Sequence, residues 1–216
     1  MEFKLDKALL KNPDFTIVAN NCWGAEVYKT FDLPFNTPII GLYFYPDCFI
    51  KLLSDFQENI HSELKFTPQS KYHKEKRDYP VGLLRNDIEI HFLHYKNEEE
   101  AFQKWTKRAK RISTEDSKLF FKFDDRDGCK PSHIRQFHDF PFRNKISFSV
   151  QKHPEIPENI NIPMKKEEQA VMDGLLLYYE SVKYFDIIKW LNGEGVQQNF
   201  GNKFKHLMSS LKTSFD

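Results

Sequence analysis

The chain has 216 residues, a formal net charge of +1, 40% hydrophobic residues and 21 phenylalanines. That length suits one domain able to bury a real core without disulfide or metal staples. The near-cancellation of charge excludes a dedicated duplex DNA binder, which carries a basic excess, so no nucleic-acid partner is expected.

The three cysteines, Cys22, Cys48 and Cys129, show no CxxC pair and no zinc spacing. They fit a reducing cytoplasm better than a disulfide framework. The opening residues hold no apolar region of signal-peptide length, and nowhere do about 18 apolar residues run together to span a bilayer. A cytoplasmic location is the expectation.

In chain order, residues 15–19 form a short apolar, β-branched run and read as a buried strand. Residues 25–31 read as a short helix, followed by a loop punctuated by Pro34 and Pro38. Residues 39–45 (IIGLYFY) read as a second strand, and a helix with a broad apolar face starts at Pro46 and runs to about Ile60. Residues 61–79 are polar and aperiodic, a loop insertion with a short strand at 65–67. Residues 88–95 (IEIHFLHY) are a third strand. Asn97 is placed to cap a helix reaching about Ile112, with Glu98, Glu99 and Glu100 in its first turn. A strand at 119–123, a helix at 131–140 and a strand at 146–150 follow. Residues 151–164 are Pro-rich and irregular, and 165–191 carry the longest helical pattern, stopped by Asn192 and Gly193.

Strands alternating with helices predict an α/β Rossmann-like sandwich, mostly parallel, with helices on both faces. Residues 1–193 would be that domain. Residues 194–216 would be an amphipathic tail with Phe200, Phe204, Leu207, Met208, Leu211 and Phe215 on one stripe.

In open α/β sheets ligands bind beyond the carboxyl ends of the strands. After the first strand come Asn20, Asn21, Cys22, Trp23 and Gly24, a turn into a helix whose free amides suit phosphate. A thiol at a helix start also has the character of a nucleophile, and Cys22 stands there. Asp47 follows the second strand. Glu89 and His91 share one face of the third, and His94, on the other face, lies nearer its end. FDDRDGC follows the fourth, with Asp124, Asp125 and Asp127. An Asp-x-Asp pair there could hold Mg²⁺ or Mn²⁺ against a diphosphate, although short acidic turns of this kind also arise for backbone reasons alone. The helix EEEAFQKWTKRAKRI puts Phe102, Trp105, Ala109 and Ile112 on one stripe. Lys104, Lys107, Arg108 and Arg111 crowd the rest, suited to a diphosphate or an anionic membrane surface.

The segments NNCWG, LPFNTPIIGLYFYPDCFIKLL, YPVGLLRNDIEIHFLHYKNEEEAFQKWTKRAKRI, KFDDRDGC and FPFRNKISF resemble an uncharacterised bacterial family labelled exopolysaccharide biosynthesis protein. The resemblance covers about residues 12–193. It implies a role in O-antigen, capsule or other surface-glycan assembly, with galactofuranosyltransferases among the relatives. Relatives can carry Asn in place of an Asp in FDDRDGC, which weakens the metal reading and leaves no metal ligand assigned. The implied activity is a glycosyltransferase that moves a sugar, galactofuranose being a candidate, from a nucleotide-sugar donor to a lipid-linked glycan acceptor at the inner membrane.

On that reading Asn20, Asn21 and Gly24 would hold the donor phosphates and Lys104, Lys107, Arg108 or Arg111 would neutralise them. Trp23 would stack on a ring, and Asp125 or His94 would be the base. Two other readings stand beside it. One is a Cys-dependent hydrolase or acyl transferase using Cys22 and a histidine. The other is a non-catalytic partner of polysaccharide enzymes.

Overall fold

A computed structural model describes residues 4–165 and 167–197. Four strands, β1 (Thr16–Ala19), β5 (Leu119–Asp124), β6 (Asn144–Ser149) and β7 (Asn159–Asn161), form a parallel sheet in the order β1-β5-β6-β7. Their sequences are almost wholly apolar because both faces are covered. Alternate residues point to opposite cores. Val18, Phe121 and Phe123 face α2 (Pro46–Ser54), α3 (Phe56–Ile60), α4 (Glu98–Ala109) and α5 (Pro131–Asp139). Ile17, Ala19, Phe120, Ile146 and Phe148 face α1 (Trp23–Thr30), α6 (Gly174–Ser181) and α7 (Ile187–Leu191). The mixed α/β fold, with helices on both faces of a mostly parallel sheet, is as the sequence predicts.

A second, antiparallel sheet holds β2 (Leu64–Phe66), β3 (Val81–Leu84) and β4 (Ile88–His91) in the order β2-β3-β4. The expected strand near 65–67 is β2, whereas β3 lies in a stretch given no strand. Its hairpin to β4 turns at Arg85 and Asn86, both left-handed (φ 52° and 61°). Asn suits that conformation, but no Gly follows it to announce the turn. Tyr43 bridges the sheets. It exchanges two 3.0 Å backbone hydrogen bonds with His91, while the next residue, Phe44, donates to the Asn20 carbonyl at 2.9 Å. β4 therefore reaches the end of β1 through one short extended segment.

Three expected elements come out shorter. Residues 39–45 form no strand beyond that bridge, because Gly41 turns left-handed at φ 70°. The strand expected at 88–95 ends at His91, and His94 lies exposed in the loop beyond. The long helix expected at 165–191 is two short ones. Asp173 caps α6, accepting from the amides of Leu175 (3.0 Å) and Leu176 (3.1 Å), and Asp186 caps α7 through Lys189 N at 3.1 Å. Each Asp offers the backbone an alternative to continuing the helix. In α4, Asn97 is the cap expected, accepting from Glu100 N at 2.9 Å. Phe102 is exposed, however, and Ala101 takes the buried place beside Trp105.

No helix among the described residues is long and apolar enough to cross a membrane. The apolar stripe at 200–215 lies outside the described residues.

α6 seals the end of β1 through Gly174. A Cβ there would stand 2.7 Å from Asn21 Oδ1 and 2.8 Å from the Trp23 backbone nitrogen. Backbone cannot swing aside as a side-chain tip can. Gly174→Ala is expected to cost about 1–3 kcal/mol, the usual range for overpacking, read as a lower urea midpoint. An unchanged midpoint would mean that α6 is not tightly seated on the turn.

Candidate functional site

The turn after β1 is built around a buried charge. Lys122 and Asp124, on one face of β5, are both fully buried and form an ion pair. Lys122 Nζ also donates to Asn20 Oδ1 (3.2 Å) and Asn21 Oδ1 (3.0 Å), which occupies all three ammonium protons. Asp124 accepts from Asn20 Nδ2 (2.9 Å), Asn21 Nδ2 (2.6 Å) and the Arg126 amide (3.3 Å). Burial opposes ionisation of Asp124. Lys122 and the two carboxamides outweigh it and hold the carboxyl below its ordinary range. The closed network ties two adjacent parallel strands at their carboxyl ends.

That network revises the donor-binding expectation. The side chains of Asn20 and Asn21 are buried and turned onto Lys122 and Asp124, away from any phosphate in solvent. A Cβ on Gly24 would meet Ile17 Cγ2 at 2.8 Å, so this glycine lets α1 pack on β1. Trp23 is fully buried against Phe148, Tyr178 and Trp190, with its indole N–H on Ser181 Oγ at 3.1 Å, and exposes no face to a sugar. Cys22 precedes α1, but burial pushes its thiol up, and its hydrogen-bond contact is the Leu42 carbonyl at 3.9 Å. No histidine contact accompanies it among the described residues.

The cationic helix is also largely engaged. Lys104 pairs with Glu100 at 2.6 Å, and Arg108 donates to Tyr95 Oη at 2.9 Å and lies over the Phe35 ring. Arg111 donates to the Phe35 carbonyl at 2.9 Å. Lys107 is exposed. Asp47, exposed, faces His133 Nε2 at 3.1 Å.

In FDDRDGC the three acids have three different settings. Asp124 belongs to the buried pair. Asp125 accepts Val171 N (2.8 Å) on one oxygen and Val150 N (2.7 Å) on the other, so both its oxygens hold backbone. Asp127 is half-buried and left-handed at φ 57°, with no hydrogen bond or ion pair among the described residues. Burial raises its carboxyl above the ordinary value. Asp125 is thus spent before it could join Asp127 around a cation. Among the described residues no three His, Cys, Asp or Glu side chains converge as metal ligands. The donor set does not fit Mg²⁺ or Mn²⁺ at this turn.

Beside the β1 end lies a cluster that brings the segments 43–45 and 88–91, both expected as strand, together with 70–79, expected as a loop insertion. His91 is fully buried, with the Tyr43 ring stacked on it at 4.6 Å and Tyr45, His73 and Tyr79 at 5.2, 5.7 and 5.8 Å. Tyr79 Oη lies 3.3 Å from its Nδ1, and Glu89 Oε1 lies 2.8 Å from its Nε2 without good hydrogen-bond alignment. Glu89, also buried, accepts from the Ser70 hydroxyl and from Lys71 N at 2.9 Å. Tyr45 stacks on Tyr72 at 3.8 Å and its hydroxyl reaches His73 Nε2 at 2.7 Å. His73 Nδ1 touches the Arg77 guanidinium.

Glu89 and His91 share one face, as the period of two predicts. The partners from 43–45 and 72–79 arrive through tertiary contact. The usable signal was composition, because KYHKEKRDYP is rich in rings and cations for a solvent loop.

Tyr45, in this cluster, lies near enough to the Asp127 turn for the two to interact electrostatically. Burial raises the Tyr45 phenol, the neighbouring Asp127 charge adds to that, and Arg77 opposes it. One hydroxyl thus senses the acid after β5 and the cation of the 67–80 segment together.

Burial also holds His91 at about 4, neutral when folded. His138, buried with Nε2 at 2.8 Å from Ser147 Oγ, is held at about 4 likewise. Unfolded, each would take up a proton near 6.5. The unfolded chain therefore binds more protons between pH 6.5 and 4, so stability falls as pH drops through that window and is insensitive to these groups above it. Urea midpoints at pH 7 and pH 5 should show this fall, and a shallower one in His91→Asn. An unaltered slope in the variant would assign the effect to other groups.

The chain matches, over residues 2–192, the family described as Domain of unknown function (DUF1919), and it belongs to that family. It is 33% identical over 190 residues to an "Uncharacterized protein" of Haemophilus influenzae (strain ATCC 51907 / DSM 11121 / KW20 / Rd). That alignment spans 85% of this chain and 86% of the relative.

Proposed function

We propose that this member of the DUF1919 family is a glycosyltransferase of bacterial surface-polysaccharide assembly. It takes a sugar from a nucleotide-sugar donor and passes it to a lipid-linked glycan. The observation that carries the reading is the set of groups gathered near the carboxyl ends of β1 and β5. Stacked tyrosines, a histidine pair and an arginine lie there, and the charge of half-buried Asp127, which makes no hydrogen bond or ion pair among the described residues, reaches Tyr45. Flat aromatic faces suit sugar and base rings, cations suit a diphosphate leaving group, and an acid raised toward neutrality suits a general base.

Asp127 takes the role first considered for Asp125 and His94. Asp125 is held by two backbone amides, and His94 is exposed beyond β4. In an inverting transfer Asp127 accepts the proton of the acceptor hydroxyl. The acceptor oxygen bonds to the anomeric carbon, and the bond from that carbon to the diphosphate oxygen breaks, releasing a nucleoside diphosphate. Tyr45 and Tyr72 supply the stacking surface. A cytoplasmic enzyme would meet its lipid-linked acceptor at the inner-membrane surface without spanning it.

The test is a thermal-shift panel of UDP, GDP, CMP, dTDP and nucleotide sugars, including both ring forms of UDP-galactose. A ligand at 100 times its dissociation constant adds about 2.7 kcal/mol. For a chain of this size that is a rise of several degrees. A selective rise for one donor is the expected result. A folded protein unmoved by every nucleotide would overturn the reading.

A further inference from the structure

Arg77 is an arginine without an acid. It makes no ion pair among the described residues, its hydrogen-bond contact is His73 Nδ1, and its Nε is buried with no partner. A guanidinium has five N–H donors, and an unmatched buried one carries a desolvation cost. The nearest buried carboxylate, Glu89, is already engaged by Ser70, the Lys71 amide and His91. His73 is itself half-buried, and burial, reinforced by Arg77, lowers its basicity. Two cation-forming groups in contact, neither in an ion pair among the described residues, are the arrangement that an oxyanion completes.

The surroundings fit. Arg77 lines a small cavity of about 60 Å³ together with Ser70, Lys76, Tyr79 and Glu98. Glu98 is the acid on that wall, and it makes no ion pair with Arg77 or Lys76. On the other side the hydroxyls of Tyr45 and Tyr79 reach His73 and His91. Tyr79 Oη also meets Tyr43 Oη at 3.0 Å, so ring and hydroxyl groups from the 67–80 segment and from the residues before α2 surround Arg77 and His73.

We propose that Arg77 and His73, with the Tyr45 and Tyr79 hydroxyls, form a diphosphate-binding site. The proposal deepens the transferase reading by naming the groups that hold the leaving diphosphate. A bidentate guanidinium–phosphate contact supplies the missing partner of Arg77, and the same negative charge favours a proton on His73.

The first probe is inorganic pyrophosphate, titrated into the full chain at constant ionic strength and followed by thermal shift and by the His73 ring signals in NMR. The histidine signals are assigned with His73→Gln. Pyrophosphate should raise the melting temperature and move the His73 ring protons toward the protonated position. Arg77→Gln should weaken binding tenfold or more. Arg77→Lys, which keeps charge but loses the fork, should fall between. Lys7→Gln, a surface cation elsewhere, should bind as the parent does. Competition by nucleoside diphosphates and by a short isoprenyl diphosphate separates the two sources of the group, donor nucleotide and lipid carrier.

Pyrophosphate that leaves His73 unmoved overturns the proposal, even if the arginine variants do not fold. So does Arg77→Gln binding as tightly as the parent. Pyrophosphate binding through Arg77 with every nucleotide silent would keep this site and discard the transferase. A nucleotide sugar that binds equally well to Arg77→Gln would do the reverse.

Discussion

Lys122→Ala should unfold far more readily than the parent, by about 3–5 kcal/mol, the cost of removing one partner from a buried ion pair. For about 200 residues that is a drop of roughly 10 °C or more in melting temperature. The size follows from closure of the network. Asp124 is completely buried, and without Lys122 it keeps the donors of Asn20, Asn21 and Arg126 but loses the ammonium it pairs with. Those two carboxamides lose a donor as well.

The companion measurement is acid unfolding. The Asp124 carboxyl is held below its ordinary value in the folded chain. Its contribution is complete above the ordinary carboxylate range and is lost as pH falls through the depressed value. Asp124→Asn should remove that part of the acid transition. A Lys122→Ala protein within 1 kcal/mol of the parent would mean that water reaches the pair and that the strand ends are not sealed.

Asp127→Asn should abolish transfer while leaving the fold in place. Asn tolerates the left-handed backbone at φ 57° as Asp does, so the turn survives, and the side chain it replaces makes no hydrogen bond among the described residues. Loss of a general base costs about 10²–10⁴ in rate. Asp125→Ala is the informative contrast. It strands the amides of Val150 and Val171 and should appear first as lost stability, about 1–3 kcal/mol for each amide. His94→Ala, exposed beyond β4, should transfer as the parent does. Full transfer by Asp127→Asn, measured with the donor identified in the nucleotide panel, would remove Asp127 from the mechanism.

Much of this protein is local and was legible in the order of residues. The runs at 16–19 and 119–124 are strands because a chain covered on both faces has no polar side to show. Asn97 announces α4 through its own side chain, and the pairing of Glu89 with His91 follows from a period of two. What residue order could not convey was which polar groups would spend themselves on one another. Asn20, Asn21 and Asp125 look like ligands because their chemistry is that of ligands. They are engaged by Lys122 and by the Val150 and Val171 amides, which stand well apart in sequence and adjacent in space. Trp23 looks like a stacking platform until α6 and α7 cover it. Conversely, Tyr72, His73, Arg77 and Tyr79 carry no period and read as loop, yet with Tyr45 they gather around His91 because a single bridge at Tyr43 docks the antiparallel sheet on the end of β1. Hydrophobic period is a property of one segment and can be read there. Whether a polar atom is free or satisfied depends on its partner's position, and that exists only once the strands are side by side.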